Sequence, residues 1–251
     1  MASPCEVMLP YTDTNKETIQ KAALAAEEEV RRIETKYSRF RNDSILSQIN
    51  NSNGNAIAID SETHYLLNYA AVAFEQSDGL FDITAGVLSK LWDFRSGIIP
   101  CPQDLASSLP RVGFQHIQFN PNCIRLPAGM SLDFGGIGKE YAVDCAAAIC
   151  RNHGIHNGII DLGGDLNIIG PQPDGRPWKI GVRNPRAPDN AIANLDIAQG
   201  GLSTSGDYER YFELDGQRYC HVINPLTGWP ERLVALSCFQ HMATRQIPSA
   251  F

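Results

Sequence analysis

The sequence predicts an α+β fold, with helices dominating the first half of the chain and short strands the second. Apolar residues recur at helical spacing through residues 15–39 and again through 61–77, whereas short apolar runs separated by turn residues follow residue 158. Helices and strands segregated in this way are typical of mixed or antiparallel sheets packed with helices. The 251 residues are long for one α+β domain but short for two full ones, and they can bury a sizeable core.

The composition argues against several functional classes. A net charge of −7 disfavours a general nucleic-acid binder, because phosphate binding needs clustered Lys and Arg. No apolar run reaches the roughly 18 residues that a membrane helix requires, and no apolar leader follows the first Met. Seven cysteines, an odd number without C-x-x-C spacing, indicate reduced thiols rather than a zinc site. These features predict no nucleic-acid partner, no membrane segment and a cytoplasmic location.

The two long helices have the clearest local signals. Thr14 is the predicted N-cap of the first helix, and Glu17 follows it at capping-box spacing. Ser61 is the predicted cap of the second helix. The other elements predicted in this half are a strand at 5–9, a short helix at 44–49, a strand at 57–59, a helical segment at 85–91 and an irregular stretch at 98–110.

Strands make up most of the second half. A hairpin is predicted to turn at Pro121 and Asn122, between strands at 117–119 and 124–126. A strand at 132–134 then leads through three glycines into a helix at 138–153. Further short strands are predicted at 158–162, 166–170, 178–182, 193–197, 201–204, 208–213, 218–223 and 233–239.

Two glycine-containing segments precede predicted helices. Within residues 79–86, Asp82 and Thr84 lie two positions apart, and they either face a ligand or simply cap the helix. Glycines at 135, 136 and 138 are typical of backbone that cradles a phosphate, although tight packing alone would also account for them. The segment matches neither the dinucleotide-binding pattern nor the P-loop pattern.

Two later segments combine glycines, hydroxyls and one histidine. Gly163 and Gly164 either form a turn or let a ring or phosphate lie close to the backbone. Residues 203–208 carry several hydroxyl side chains, and His221 follows in the next strand. A histidine has an ordinary pKa of about 6.5 and can act as a general base at neutral pH, although a lone histidine in a strand is often a core residue.

Considered together, these segments resemble the FAD:protein FMN transferase family (ApbE-like, formerly called thiamine-biosynthesis lipoproteins). The order and spacing agree over residues 1–238. The matching segments are Met1-Ala2-Ser3-Pro4, residues 37–41, 81–88 and 91–94, the stretch 133–144, Gly163-Gly164-Asp165, Thr204-Ser205-Gly206-Asp207-Tyr208 and residues 221–228.

The resemblance implies a flavin transferase-like fold and a defined chemistry. Members transfer FMN from FAD to a Thr or Ser hydroxyl of a target protein and release AMP, and some instead hydrolyse FAD to FMN and AMP. Both reactions use a divalent cation, usually Mg²⁺. The expected partners are therefore FAD and a flavin-accepting protein. A Mg²⁺-dependent FAD pyrophosphatase and a catalytically impaired FAD-binding protein are the alternatives.

The resemblance also implies roles for individual residues. His221 is the expected base, and the Gly138 carbonyl is the expected metal ligand. The expected FAD contacts are Met1, Phe40, Leu80, Phe81, Asp82, Gly135, Tyr141 and Ile223. Met1, Phe40 and Tyr141 suit packing on flat rings, and Asp82 suits accepting hydrogen bonds from the flavin or adenine.

Three departures from the family pattern stand out. Lys139-Glu140 replaces the commoner Lys-Gly, and Asn224 stands where Asp is usual. The resemblance further implies an Ala-Asp-Ala-x-x-Thr helix near the C-terminus, but no Asp or Glu follows Glu231 here. The resemblance therefore implies a single flavin transferase domain over residues 1–251 that is short at its C-terminus. We expect it to hold Mg²⁺ weakly, because Mg²⁺ prefers carboxylate oxygens. Members are often periplasmic or lipid-anchored, whereas no lipobox precedes Cys5.

Overall fold

A computed structural model describes residues 4–13, 15–208, 210–231 and 235–240. The α-helices are α1 Lys16–Tyr37, α2 Ile45–Asn50, α3 Ser61–Gln76, α4 Gly86–Ser89, α5 Pro102–Ser108 and α6 Gly138–Asn152, with 3-10 turns at Leu109–Arg111 and Phe114–His116. The strands are β1 Cys5–Met8, β2 Ala56–Ala58, β3 Gln118–Asn120, β4 Cys123–Arg125, β5 Gly158–Leu162, β6 Leu166–Gly170, β7 Trp178–Asn184, β8 Ala187–Ile197, β9 Gly200–Gly206, β10 Tyr211–Leu214, β11 Gln217–Cys220 and β12 Ala235–Gln240. The predicted α+β class is confirmed.

The chain packs as two compact units, each built from separate stretches of sequence. Unit 1 contains the described residues up to 35, residues 137–205 and β12, and unit 2 contains residues 36–136 and the described part of 206–234. The single domain expected over 1–251 stays a prediction. None of the described helices is both long and apolar enough to cross a bilayer.

Unit 1 is organised around a five-stranded sheet in the order β1-β5-β6-β9-β12. The pairs β1–β5, β5–β6 and β6–β9 are antiparallel. Ile160 and Ile168 on the central strands are completely buried, as are Ala146 and Cys150 on α6. Burial on this scale explains why β5 and β6 have near-continuous apolar sequences instead of alternating ones. A β7–β8 hairpin adds a separate two-stranded sheet.

Unit 2 contains helices α2–α5, the three-stranded sheet β2-β4-β3 and the β10–β11 hairpin. Asn120 pairs with Cys123, so the β3–β4 hairpin turns at Pro121 and Asn122 as predicted. Leu88, Trp92 and Leu105 form a buried cluster against which Ile223 and Tyr219 pack. Through this cluster, residues 88–105 pack against the chain that follows residue 206.

Several predicted details are corrected. Helix α5 occupies most of the stretch expected to be irregular, because Pro102 starts the helix and Leu105 is buried. Asp60, one residue before Ser61, is the N-cap of α3: its carboxylate accepts the Thr63 N–H at 3.0 Å. The predicted cap at Thr14 lies outside the described residues.

The strand predicted at 132–134 does not form. The backbone of Leu132 is paired with a side chain instead of with a neighbouring strand. The Asn50 amide donates to the Leu132 carbonyl at 3.0 Å, and its oxygen accepts the Leu132 N–H at 2.7 Å. Asn50 thus acts as one rung of a sheet ladder. Leu132 is buried, so both backbone groups depend on this one amide.

We expect Asn50→Ala to lower the free energy of unfolding by about 2 kcal/mol or more, because a buried N–H and a buried C=O lose their partner. Asn55→Ala is the matched control, since its amide donates to the nearby Ser52 carbonyl at 2.9 Å and, within the described ranges, to no other group. Urea denaturation of both variants measures the difference. Equal destabilisation by the two substitutions would contradict the ladder role.

The carboxylate of Asp60 provides a second stability test. Partial burial opposes its ionisation, but hydrogen bonds from Lys36 and Thr63 outweigh this and lower the pKa of Asp60 to about 2. A carboxyl with a lowered folded-state pKa stabilises the protein above its ordinary pKa, and that stability is lost as the pH falls toward the folded value.

We expect the stability advantage of the wild type over Asp60→Asn to shrink as the pH falls from about 4 toward 2. Asn caps a helix as well as Asp does, so the variant keeps the cap and loses the charge that Lys36 contacts. Thermal unfolding across this pH range measures the difference. A constant difference between the two proteins would refute the expectation.

Candidate functional site

The residues predicted to form the site are distributed over both units. Unit 2 contains Phe40, Leu80, Phe81, Asp82, Gly135, His221 and Ile223, and unit 1 contains Gly138 and Tyr141. Met1 lies outside the described residues.

A tight turn after α3 presents Leu80 to solvent. The turn passes through positive φ angles at Asp78 and Gly79, of 50° and 80°. Its backbone is closed by hydrogen bonds from the Gly79 N–H to the Phe74 carbonyl, at 2.9 Å, and from the Leu80 N–H to the Ser77 carbonyl, at 3.0 Å. Leu80 is 58% exposed as a result. An exposed apolar side chain on a constrained turn is suited to contacting a ligand or a partner.

The Asp82 carboxylate is engaged within the protein. One oxygen accepts the Thr84 N–H at 2.8 Å and the Thr84 hydroxyl at 2.7 Å, and the other accepts the Phe114 N–H at 3.0 Å. The Thr84 hydroxyl in turn accepts the Gly113 N–H at 2.7 Å. Three of roughly four acceptor positions on the carboxylate are thus occupied. The helix-capping role considered from the sequence is not observed, because the N-cap of α4 is Ala85 and no side chain caps this helix. Asp82 instead connects residues 84 and 114, and its carboxylate keeps little capacity for ligand hydrogen bonds.

The glycine-rich segment contacts Phe81 directly. A Cβ on Gly136 would lie 2.9 Å from the Phe81 ring, so only glycine permits this approach. Asp133 fixes the segment: its N–H donates to the Ile83 carbonyl at 2.7 Å, and its carboxylate accepts the Gly135 N–H at 2.9 Å. Phe81 and the Gly135–Gly136 turn are therefore brought together.

Phe40 joins this group through Arg39. The Arg39 guanidinium donates to the Asp133 carboxylate at 2.6 Å and lies 4.8 Å from the centroid of the Phe40 ring. Phe40 is 79% exposed. The ring is held by a cation–π contact while most of its surface faces solvent, which suits stacking on another flat ring.

His221 follows the β10–β11 hairpin and is exposed. Its backbone N–H donates to the Arg210 carbonyl at 3.0 Å. Ile223, two residues later, is half-buried against the Leu88–Trp92–Leu105 cluster. A half-buried residue that packs against the core therefore lies two positions from an exposed histidine, which suits a base that meets a hydroxyl on another molecule.

In unit 1, the first turn of α6 contains a buried charge network. Asp165, only 2% exposed, accepts hydrogen bonds from the Lys139 ammonium and the Ser203 hydroxyl. Glu140 lies 3.5 Å from the same hydroxyl, and its second oxygen is buried without a hydrogen-bond partner in the described part of the chain. Burial raises the pKa of the Glu140 carboxyl, and the charge of Asp165 raises it further. Gly138 begins this turn, and Tyr141 ends it half-buried.

The sequence contained only part of the signal for this network. Lys139, Asp165 and Ser203 all lie in the glycine- and hydroxyl-rich segments singled out above, but their spacing does not show that one carboxylate joins them. The sequence showed that Glu140 departs from the commoner Lys-Gly, but it did not show that a carboxylate oxygen of Glu140 is buried. The chemical role predicted for Gly138 is not tested by these contacts.

The described residues do not form a Mg²⁺ site on their own. Among residues 4–13, 15–208, 210–231 and 235–240, no group of three or more His, Cys, Asp and Glu side chains is placed to hold one ion. Asp165 is already neutralised by Lys139. Because Mg²⁺ prefers carboxylate, phosphate and water oxygens, the Gly138 carbonyl alone is an insufficient donor set.

Comparison with known proteins gives a consistent result. Residues 1–245 match a family model described as the ApbE family. The chain is 35% identical over 205 residues to the FAD:protein FMN transferase of Salmonella typhimurium, and 30% identical over 201 residues to that of Vibrio cholerae. Each alignment covers 77% of this chain, but the chain spans only 58% and 60%, respectively, of the length of these curated relatives.

Solved structures share the fold. The ApbE protein from Thermotoga maritima is 33% identical, with a TM-score of 0.83 over 88% of this chain and 74% of that protein. A histidine-to-glycine mutant of the flavin transferase ApbE from Vibrio cholerae is 27% identical, with a TM-score of 0.81 over 96% of this chain and 79% of that one. These similarities confirm the predicted flavin transferase-like fold.

We expect Asp82→Asn to lower the free energy of unfolding by about 2 kcal/mol without any ligand, because an amide cannot accept all three hydrogen bonds. Asp104→Asn, at an exposed position on α5, is the matched control and is expected to have little effect. Thermal unfolding without FAD measures both variants. If Asp82→Asn keeps wild-type stability and loses only FAD affinity, the carboxylate acts as a ligand contact instead.

Proposed function

The chain belongs to the ApbE family, and from this premise we propose that it transfers FMN from FAD to a Thr or Ser hydroxyl of a target protein and releases AMP. The observation that carries the proposal is the exposed imidazole of His221. It lies in the same unit as Leu80, Phe81 and Gly135, which the family resemblance assigns to FAD. An accessible base is what a hydroxyl on a second protein requires.

The proposed reaction is a single phosphoryl transfer. The target hydroxyl oxygen forms a bond to the phosphorus of the FMN half of FAD, and the bond from that phosphorus to the bridging oxygen breaks. AMP leaves with the bridging oxygen as a phosphate monoester. The hydroxyl proton goes to the His221 imidazole, so atoms and charge balance. The acceptor ends as a phosphoester of FMN.

The other residues of unit 2 position the flavin in this proposal. Phe81 and the exposed ring of Phe40 offer apolar faces to the flavin. The absence of a Cβ at Gly136 lets the Phe81 ring lie against the backbone. Asp82 acts indirectly, because its hydrogen bonds to Thr84 and Phe114 fix the segment that carries Phe81. Tyr141 and Ile223 remain proposed FAD contacts.

Mg²⁺ is part of the proposal through the family resemblance, with the Gly138 carbonyl as one ligand. When bound, a divalent cation supplies positive charge that neutralises phosphate oxygens. The described side chains provide no carboxylate set for it. A dependence of transfer on added Mg²⁺, abolished by EDTA, is the measurement that supports this part.

We expect His221→Ala to lower the rate of FMN transfer about 10²–10⁴-fold, the usual contribution of a general base. The affinity for FAD is expected to change little, because the imidazole acts on the acceptor hydroxyl. The assay combines the chain, FAD, Mg²⁺ and a purified flavin-accepting domain, and in-gel fluorescence detects covalent flavin. His156→Ala, at an exposed loop position in unit 1, is the matched control.

The same assay separates the alternatives. Labelled acceptor supports the transferase, whereas free FMN and AMP without labelling support a FAD pyrophosphatase in which water replaces the hydroxyl. FAD binding without turnover at any Mg²⁺ concentration supports a catalytically impaired flavin-binding protein. Transfer that survives His221→Ala overturns the assignment of the base.

A further inference from the structure

The loop between Asn224 and Glu231 closes on itself through one side chain. The Asn224 oxygen accepts the Leu226 N–H at 2.8 Å and the Thr227 N–H at 3.3 Å. The Asn224 amide nitrogen donates to the Glu231 carboxylate at 2.6 Å. The oxygen of the Asn224 amide therefore holds the start of the loop, and the nitrogen of the same amide binds the end of the loop.

Backbone contacts connect this closure to the segment that carries His221. The Asn224 N–H donates to the Trp229 carbonyl and the Glu231 N–H to the Val222 carbonyl, both at 2.8 Å. Ile223 and Pro230 form an isolated antiparallel bridge. Residues 222–224 therefore run beside 229–231. The Asn224–Glu231 side-chain contact crosses this short pairing from one end to the other, and Asn224 lies three residues from His221.

The base of the loop is anchored in the core of unit 2. The Trp92 indole N–H donates to the Gly228 carbonyl at 2.9 Å, and the Trp229 ring packs edge-on against Trp92 with centroids 5.5 Å apart. At its tip, Leu226 would lie 3.9 Å from a Cβ on Gly79, next to the turn that presents Leu80. The loop thus adjoins both the predicted base and a segment predicted to contact FAD.

We propose that Asn224 and Glu231 are a coupled pair of positioning residues for His221. The amide at 224 and the carboxylate at 231 hold the loop closed, and the closed loop sets the backbone from which the imidazole projects. This also accounts for the departure at position 224. An Asp there would face the Glu231 carboxylate, and two like charges at this separation repel each other. The catalytic part of this inference rests on the proposed function.

A reversal of hydrogen-bond polarity tests the pair. In Asn224→Asp, two carboxylates oppose each other, and we expect kcat for FMN transfer to fall about tenfold, a mid-range value for coupled neighbours, with KM for FAD little changed. Glu231→Gln keeps an oxygen acceptor and is expected to stay close to wild type. The double variant carries a carboxylate at position 224 and an amide at position 231, so the amide can donate in the opposite direction. We expect its kcat to recover to within about threefold of wild type.

Asn120→Asp is the matched control. The Asn120 oxygen accepts the Asn122 and Cys123 N–H groups at 2.9 and 3.1 Å, a turn of the same kind as that at Asn224. Among the described residues, these are the only hydrogen bonds of its side chain, so the substitution is expected to leave kcat unchanged.

An activity-independent measurement distinguishes failure of this inference from failure of the proposed function. The ring Cε1–H signal of His221, assigned in NMR spectra by comparison with His221→Ala, reports the environment of the imidazole. We expect it to move in Asn224→Asp, to return in the double variant and to stay in place in Asn120→Asp. If the wild type transfers no FMN, the proposed function fails while this signal still tests the pair. An unmoved signal in Asn224→Asp, or a double variant as perturbed as the single one, overturns the inference.

Discussion

The hydrogen bonds of Asp82 and Thr84 are the constraint on which the candidate site in unit 2 depends. The Asp82 carboxylate holds Thr84 and Phe114, and the Thr84 hydroxyl holds Gly113. Ile83 lies between Asp82 and Thr84, and its carbonyl accepts the Asp133 N–H. Two segments distant in sequence, residues 113–114 and residue 133, thus meet at the tripeptide 82–84. The contact of Phe81 with Gly136 follows from this junction, because it requires residues 133–136 to lie beside 81–84. Asp133 also accepts a hydrogen bond from Arg39, which connects residue 39 to the same segment.

Charge plays a comparable part at the start of α6 in unit 1. Asp165 is nearly inaccessible to water, and burying an unpaired carboxylate would be strongly unfavourable. Its contacts with Lys139 and Ser203 compensate for that burial and connect the helix start to the turn before β6 and to the middle of β9. Glu140 has no comparable compensation, and its raised pKa reflects the preference of a buried carboxyl for the neutral form.

Periodicity in the sequence was sufficient to predict most helices and strands, but it did not predict some of the side-chain contacts. Helices α1 and α3, the β3–β4 hairpin and strands β5 and β6 were predictable, because each buries a regular face or turns at recognisable residues. The ladder contact of Asn50 with Leu132 was not, because a side chain 82 positions away replaces a strand. Helix α5 was missed because its prolines suggested irregular chain, although Pro is well suited to a first helical turn.

The sequence by itself determined the α+β class, the family resemblance and the identity of the residues expected at the site, since these depend on local pattern and on motif order. Only the tertiary structure decided what those residues contact. Asp82 is committed to the scaffold, Phe81 lies against Gly136, and Asn224 is bound to Glu231. The physical reason is that a hydrogen bond is specified by distance and direction between two groups, and spacing along the chain gives neither once the groups lie on different elements.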